Sequence, residues 1–405
     1  GQQSLLNALE AVEQKHHDSP HILFARALVL TQAGAREPAL DFAHRARLLR
    51  PESIQTTLLE AKILTDLNRN AEVAHLLASA VKIRPESQSL RLNYARSLVK
   101  AQDMKGAERE FGTLVAKYPS DSSLRLGLAL IAFENHNDVL ARSELDTLSD
   151  SEEHSDEAYF YLGKLAQRQE RLDDAIAAYE SVPPGPHFMQ AMAEISNLLI
   201  QRGQTAESHR RFNEARARLP EQRLPLFQLE AELLSARKDP DGARAILDEA
   251  LQQSPGNAHL LLSRALVAER QNQMDQFEAD VREVLRTEPN NASALNALGY
   301  TLLERTDRID EAEASILRAY ALKPNDPAIL DSLGWLNFKR GKTDEALQYL
   351  RQAYKMFPDD EIAAHLGEVL WVSGQRDEAR RLWRDALRMH PKSEHLPRTR
   401  LRLDP

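Results

Sequence analysis

The 405-residue chain contains no cysteine. This excludes disulfide bonds, thiol nucleophiles and cysteine-ligated metal sites, although it does not by itself define the compartment in which the protein works. Aromatic residues are also few, at 6% of the chain, while leucine and alanine are abundant. That composition is typical of stacked helices and gives little support to a β-sheet scaffold.

Long hydrophobic runs and an excess of basic residues are absent as well. The longest apolar run, from Leu126 to Phe133, is far shorter than the roughly 18 residues that a membrane-spanning helix requires. The net charge is −9, and lysine and arginine are dispersed among the acidic residues. Because a nucleic-acid-binding protein usually presents a basic face, the sequence disfavours nucleic acid as a partner.

What the chain does contain is a repeat with a period of about 34 residues, the mark of an array of small helical units. Pro51, Pro85 and Pro119 lie at intervals of 34 residues. The same spacing returns in the second half of the chain, at intervals of 35, 34 and 33 residues, in Pro289, Pro324, Pro358 and Pro391.

Each repeat has the pattern of two amphipathic helices joined by a tight turn. Leu330 and Leu333 lie on one face of a first helix, Gly341 falls in the turn, and Pro358 ends the second helix. About eleven repeats can be placed, with starts near residues 20, 54, 88, 120, 156, 189, 224, 258, 292, 327 and 361. The eighth residue of each is small, which close packing of the two helices requires.

This pattern resembles the tetratricopeptide repeat, most closely between Leu330 and Pro358. The resemblance implies an all-α fold, a right-handed superhelical solenoid of about eleven helix-turn-helix repeats over residues 20–393. We expect residues 1–19 to form one more helix, either the second helix of an incomplete repeat or the edge of a longer helical region, and on either reading the chain is expected to be a fragment. Residues 394–405 are expected to be a C-terminal tail.

Two stretches depart from the repeat pattern. Residues 135–157 are acidic and irregular, and the second helix there is expected to pack on Val139, Leu140, Leu145 and Leu148. Residues 183–186 read Pro-Pro-Gly-Pro, which should stop a helix abruptly and make a rigid elbow between the fifth and sixth repeats.

The motifs of an enzyme are missing, and we predict no catalytic residue, no cofactor and no metal site. Gly341-Lys342-Thr343 resembles the end of a phosphate-binding loop, but Leu336 stands where that loop needs glycine. The sequence contains neither GxSxG nor HExxH. The histidine pairs His16–His17 and His390–His395 are assigned to ordinary exposed helix ends.

The resemblance also implies where partners bind, because the first helices of such repeats line an inner wall. In the first five repeats the inward positions are mainly apolar with interleaved basic residues: Phe24, Leu28, Leu58, Lys62, Leu92, Arg96, Leu124, Leu128, Phe160 and Lys164. The last three repeats offer an aromatic set consisting of Tyr300, Trp335, Phe338 and Trp371. Trp383, on a second helix, is expected to be in the core.

Within the family, the stretches Leu298–Leu303 and Asp331–Trp335 are similar to bacterial envelope members that act as outer-membrane lipoprotein adaptors. That resemblance implies partners: a periplasmic carboxyl-terminal processing protease and its protein substrates, such as peptidoglycan cross-link hydrolases. It also implies a periplasmic location, with a lipid anchor upstream of this segment as the only membrane attachment. Two alternatives stay open, a scaffold of an envelope secretion or polysaccharide-export machine and a glycan- or peptidoglycan-binding module.

Overall fold

The computed structural model describes residues 19–393 and 395–404, and over these ranges it is all helical, with 23 α-helices, one short 3₁₀ turn and no strand. The described chain divides into two compact units between Gly203 and Gln204. The expected helix within residues 1–19 lies, except for Ser19, outside the described residues. The all-α repeat fold predicted from the sequence is confirmed.

The first unit, residues 19–203, contains eleven of the described helices. They are α1 (Pro20–Gln32), α2 (Arg36–Leu49), α3 (Ile54–Asp66), α4 (Asn70–Ile83), α5 (Gln88–Lys100), α6 (Met104–Lys117), α7 (Ser122–Glu134), α8 (Asp138–Leu148), α9 (Ser155–Arg168), α10 (Leu172–Glu180) and α11 (Phe188–Gln201).

The second unit, residues 204–404, contains the other twelve helices of the described chain. They are α12 (Thr205–Arg218), α13 (Arg223–Ala236), α14 (Pro240–Gln253), α15 (Ala258–Arg270), α16 (Met274–Thr287), α17 (Ala292–Arg305), α18 (Ile309–Leu322), α19 (Pro327–Lys339), α20 (Thr343–Met356), α21 (Asp360–Val372), α22 (Arg376–Met389) and α23 (His395–Leu403).

Within each unit, the odd-numbered helices are the first helices of repeats and pack against the even-numbered helices on either side. Small residues at the crossing points allow this close approach. At Gly334 in α19, an added Cβ would lie 2.6 Å from Leu350 Cγ in α20, and at Gly299 in α17 it would lie 2.6 Å from Ile316 Cγ1 in α18. Both distances are too short for a real side chain, so the small residue is required for the packing.

The turn between α19 and α20 explains why Gly341 does not belong to a phosphate-binding loop. Gly341 has a φ of +77°, the left-handed conformation that glycine adopts without strain. Its backbone N–H donates a hydrogen bond to the carbonyl oxygen of Phe338, 2.9 Å away. The glycine therefore closes the end of a helix, and the loop lies between two helices, whereas a phosphate-binding loop follows a strand.

The fourth repeat begins two residues later than the sequence analysis placed it. Helix α7 starts at Ser122, so the small residues at the helix crossing are Ala129 and Ala141, both fully buried. Val139, expected in the core, is 84% exposed, whereas Leu145 and Leu148 are buried as predicted. The regular proline spacing gives the observed start, because Ser122 follows Pro119 by the same three residues that separate Ile54 from Pro51.

The Pro-Pro-Gly-Pro segment and the C-terminal tail were the other two segments singled out in the sequence. Residues 183–186 lie between α10 and α11, and their role as a rigid elbow stays a prediction. Part of the expected C-terminal tail forms α23, which packs on α21 and α22. Leu396 is buried there and Arg402 forms an ion pair with Glu368. In the described part of the chain, no helix combines the length and apolar character needed to cross a membrane.

Candidate protein-binding faces

In the first three repeats, the predicted inner-wall residues lie on the exposed side of the first helices. Phe24, Leu58 and Leu92 are partly buried and pack their inner edges on the hydrophobic core. Leu28, one helical turn after Phe24, is 41% exposed. An apolar side chain in this position is anchored by the core and still presents surface to a partner.

Basic side chains accompany these apolar residues. Lys62 follows Leu58 by four residues and Arg96 follows Leu92 by four, which places each pair on one helix face, with Lys100 a further turn along α5. All three are exposed, and none of their side chains has an ion pair or hydrogen bond with any described residue. We call Phe24, Leu28, Leu58, Lys62, Leu92, Arg96 and Lys100 the basic–apolar strip.

Some other basic residues of the first unit are engaged in ion pairs. Arg91 Nη1 lies 2.6 Å from Glu110 Oε2, and Arg69 Nε lies 2.6 Å from Glu72 Oε1. Lys164, also predicted for the inner wall, lies 3.9 Å from Glu194 and over the ring of Phe160. The cations of the strip therefore remain available for an acidic partner, whereas Lys164 is already partly neutralised.

The exposure expected for Leu124 and Leu128 is wrong. They are only 4% and 3% exposed, in the core that includes Phe111. Because α7 starts two residues late, Leu126 and Leu130 take the partly exposed positions. The sequence analysis missed these two residues, and the spacing from Pro119 was the signal that would have found them.

Phe160 is also less accessible than predicted, at 4% exposed. The ring of His187, just before α11, lies over it with centroids 5.0 Å apart, and Tyr161 meets it edge-on at 5.7 Å. The chain that follows Pro186 thus covers Phe160. A partner cannot use this side chain unless His187 moves.

In the second unit, Trp335 belongs to the interior, contrary to the expectation of an exposed aromatic contact. It is 4% exposed and is stacked on His365 of α21, with ring centroids 4.3 Å apart. Its indole Nε1–H donates a hydrogen bond to Glu304 Oε1 at 2.6 Å. Phe338 packs at 5.2 Å and stays partly exposed.

His365 is the centre of a buried network that the sequence analysis did not predict. Its Nδ1 lies 2.9 Å from Asp331 Oδ2, and Tyr300 donates from its hydroxyl to Glu361 at 2.7 Å while facing His365 Nε2 at 3.3 Å. Burial opposes protonation of His365, but Asp331, followed by the charges of Glu361 and Glu304, outweighs burial and raises its pKa. Tyr300 therefore serves this network and is only partly exposed.

Trp371, unlike Trp335, keeps a partly exposed indole ring. It stacks on Trp383 with centroids 5.8 Å apart, and the guanidinium groups of Arg376 and Arg380 lie 5.1 Å from its ring centre. Trp383 is 2% exposed, which confirms its predicted place in the core. Cations already occupy part of the Trp371 surface.

A group of possible metal ligands lies in the first unit, at the two segments that depart from the repeat pattern. The ligand atoms of Asp156, Glu157 and His187 lie within 4.8 Å of one another. Burial opposes ionisation of Asp156, but hydrogen bonds with Glu157 and His187 outweigh it and lower the pKa of Asp156. Burial raises the pKa of Glu157, and its hydrogen bond with Asp156 raises that pKa further.

Comparison with known proteins defines the class. The tetratricopeptide repeat family matches residues 115–392, and a second description of the same repeat matches residues 64–132. The chain belongs to the tetratricopeptide repeat family. Members of this family are helical scaffolds for protein–protein interaction, and the fold described above has that form.

One relative is the TPR repeat-containing protein PA4667 of Pseudomonas aeruginosa, which is 40% identical over 364 residues. The match covers 90% of this chain and 62% of the relative, so this chain spans less than two thirds of its length. Solved structures to which the chain shows some similarity include yeast Tom70, at 15% identity and a TM-score of 0.47, covering 99% of this chain and 92% of Tom70. Another is the APC/C hetero-tetramer Cut9–Hcn1, at 15% identity and a TM-score of 0.43, covering 100% and 88%.

Proposed function

We propose that this protein is a non-enzymatic adaptor that holds an extended segment of a client protein and presents the client to a periplasmic carboxyl-terminal processing protease. Peptidoglycan cross-link hydrolases are the proposed clients. The proposal places the chain in the periplasm, tethered to the outer membrane through a lipid anchor upstream of this segment. Membership in the tetratricopeptide repeat family supports the adaptor role, and the similarity of Leu298–Leu303 and Asp331–Trp335 to envelope adaptors supports the choice of protease.

The basic–apolar strip is the observation that carries the proposal. Three exposed cations, Lys62, Arg96 and Lys100, stand beside apolar side chains on successive first helices. An extended segment with alternating acidic and apolar residues is complementary to this strip. The partner therefore does not need a folded surface in order to bind there. Electrostatic complementarity of this kind steers association and selects the partner.

The experiment measures cleavage of a purified hydrolase by the protease, with and without this protein. A charge-reversed variant, Lys62→Glu with Arg96→Glu, is compared with a control that changes the net charge equally, Lys82→Glu with Arg109→Glu. The control residues lie on the second helices of the same two repeats and are exposed. We expect the wild type and the control to accelerate cleavage and the strip variant to accelerate it much less.

Three results contradict parts of the proposal. Cleavage of the client hydrolase by this protein alone, without the protease, would exclude a purely adaptor role. Equal acceleration by the strip variant and the control would remove the strip as the client site. Failure to bind either the protease or the hydrolase, together with retention of an export component or of peptidoglycan, would favour the export scaffold or the glycan-binding module.

A further inference from the structure

Three side chains with metal-binding atoms, those of Asp156, Glu157 and His187, lie close together where the array departs from its repeat pattern, and His154 lies beside Glu157. His154, Asp156 and Glu157 lie at the start of α9, in the acidic segment that breaks the fourth repeat. His187 comes from the segment after Pro186 and immediately precedes α11. His187 Nδ1 lies 3.3 Å from Asp156 Oδ2, so the two segments meet at these side chains.

Two polar atoms of this cluster are shielded from solvent and have no hydrogen-bond partner. They are His154 Nδ1 and Glu157 Oε2, and they face each other across 3.7 Å. That distance is too long for a hydrogen bond. A buried polar atom without a partner is costly in free energy, so a partner that both atoms can reach at once is indicated.

Two of the distances in this cluster match those between ligands of one small cation. Nitrogen and oxygen ligands lie about 2.0–2.2 Å from a zinc ion, which places neighbouring ligand atoms roughly 3–4 Å apart in a tetrahedral site. The His187–Asp156 and His154–Glu157 distances, 3.3 and 3.7 Å, fall in this range. The ligand atoms of Asp156, Glu157 and His187 lie within 4.8 Å of one another. His154 lies outside this group, so side-chain rotations are needed to bring all four residues to one ion.

Two neighbouring residues, Ser123 and Gly185, lie close to the proposed ligands. His154 Nε2 lies 3.4 Å from Ser123 Oγ, and this contact orients the ring with Nδ1 toward Glu157. A metal-ligating histidine commonly has such a second contact on its other nitrogen. On the other side, a Cβ added at Gly185 would lie only 3.2 Å from Asp156 Oδ2, which shows how closely the loop approaches the carboxylate.

We propose that Asp156, Glu157 and His187 bind one divalent transition-metal ion of the zinc type, and that His154, which faces Glu157, completes the donor set after a side-chain rotation. Two imidazole nitrogens and two carboxylates form a donor set that zinc accepts. The ion joins the start of α9 to the segment before α11 and holds His187 over Phe160. The site is structural in character and independent of the adaptor role proposed above.

The test uses the full chain, stripped with a chelator, and zinc chloride as the probe in isothermal titration calorimetry. We expect one saturable site. His187→Gln and Asp156→Asn should each weaken zinc binding by at least about tenfold. The matched control is His209→Gln, because His209 also faces a carboxylate, Glu230 Oε1 at 2.8 Å, but does not belong to a group of three ligands among the described residues. This control should bind zinc as the wild type does.

A second measurement keeps the test valid if a variant folds poorly. Cobalt bound to nitrogen and oxygen ligands gives visible absorption, which should appear with the wild type and be displaced by zinc. Thermal melting of the metal-free variants shows whether each one is folded. Absence of a saturable zinc site in the wild type overturns the proposal. Zinc binding that is equally strong in folded His187→Gln and Asp156→Asn also overturns it, because the ion is then bound elsewhere.

Discussion

The imidazole ring of His365 lies almost parallel to the indole ring of Trp335, with centroids 4.3 Å apart and an interplanar angle of 20°. The stack joins α21 to α19, and the hydrogen bond of His365 to Asp331 makes a second connection between the same two helices. A charged and aromatic network therefore fills the place where an exposed binding surface was predicted. Its energetic contribution depends on pH because His365 titrates.

We expect the network to stabilise the second unit more at low pH than at high pH. The pKa of His365 is raised above its ordinary value of 6.5, so the folded state holds the proton more tightly than the unfolded state does. The resulting stabilisation is fully present below pH 6.5 and is lost as the pH rises through the folded-state pKa. Urea unfolding of the wild type and His365→Gln should therefore show a difference in stability that shrinks as the pH rises.

Asp331→Asn provides the control for this prediction, because it removes the carboxylate that faces His365 Nδ1. Loss of a hydrogen bond to a charged group should cost about 1.5–3 kcal/mol, and most of the pH dependence should disappear with it. An advantage of the wild type over His365→Gln that grows with pH would show that His365 is neutral in the folded protein.

Gly334→Leu should destabilise the protein by about 1–3 kcal/mol, the usual cost of overpacking a core. The physical reason is the missing space between α19 and α20, where an added Cβ would lie 2.6 Å from Leu350 Cγ. Gly256→Leu is the matched control in the same unit, because a Cβ at Gly256 meets nothing within 4 Å. Hydrogen exchange should show protection lost mainly in the repeats next to α19, since each repeat contacts chiefly its neighbours. Equal loss in both units would contradict this.

The repeat pattern was sufficient to predict the helix pairs, because the pairing of two helices depends on local periodicity and on small residues where the helices cross. Gly163 and Gly367 obey the same rule as Gly334: a Cβ at either would collide with Tyr179 or Trp383. The irregular fourth repeat was placed two residues early because Gly127 is small and resembles the crossing residue. In the structure, Gly127 faces Phe111 of the preceding repeat.

The candidate sites were harder to predict than the fold, because exposure depends on contacts between segments distant in sequence. Nothing near Phe160 in the sequence indicates that His187 will cover it. In the same way, Trp335 finds Glu304 and His365 about 30 residues away in either direction. Lys62 and Arg96 are exposed, as their basic side chains led us to expect, because a cation on the solvent-facing side of an amphipathic helix needs no contact with a distant segment to stay exposed.

The corrected register of the fourth repeat makes a direct prediction about two neighbouring leucines. Leu124→Ala should cost about 2–5 kcal/mol, since it leaves a cavity in the core beside Phe111. Leu126→Ala should cost less, about 1 kcal/mol, because Leu126 is partly exposed. Chemical denaturation of the two variants gives the comparison. The reverse order would restore the earlier register, with Leu124 on the inner wall.

The basic–apolar strip predicts how client binding depends on salt. If Lys62 and Arg96 steer an acidic segment to the strip, Lys62→Glu with Arg96→Glu should slow association about tenfold at low ionic strength. The difference from the wild type should shrink as salt is added, because exposed charges are screened over roughly 10 Å at 0.1 M salt. Stopped-flow measurement with a labelled client peptide, repeated with Lys82→Glu and Arg109→Glu, separates the strip from a general effect of net charge. If the control pair slows association as much as the strip pair does, the client is attracted by the overall electrostatic field of the protein and not by one particular face.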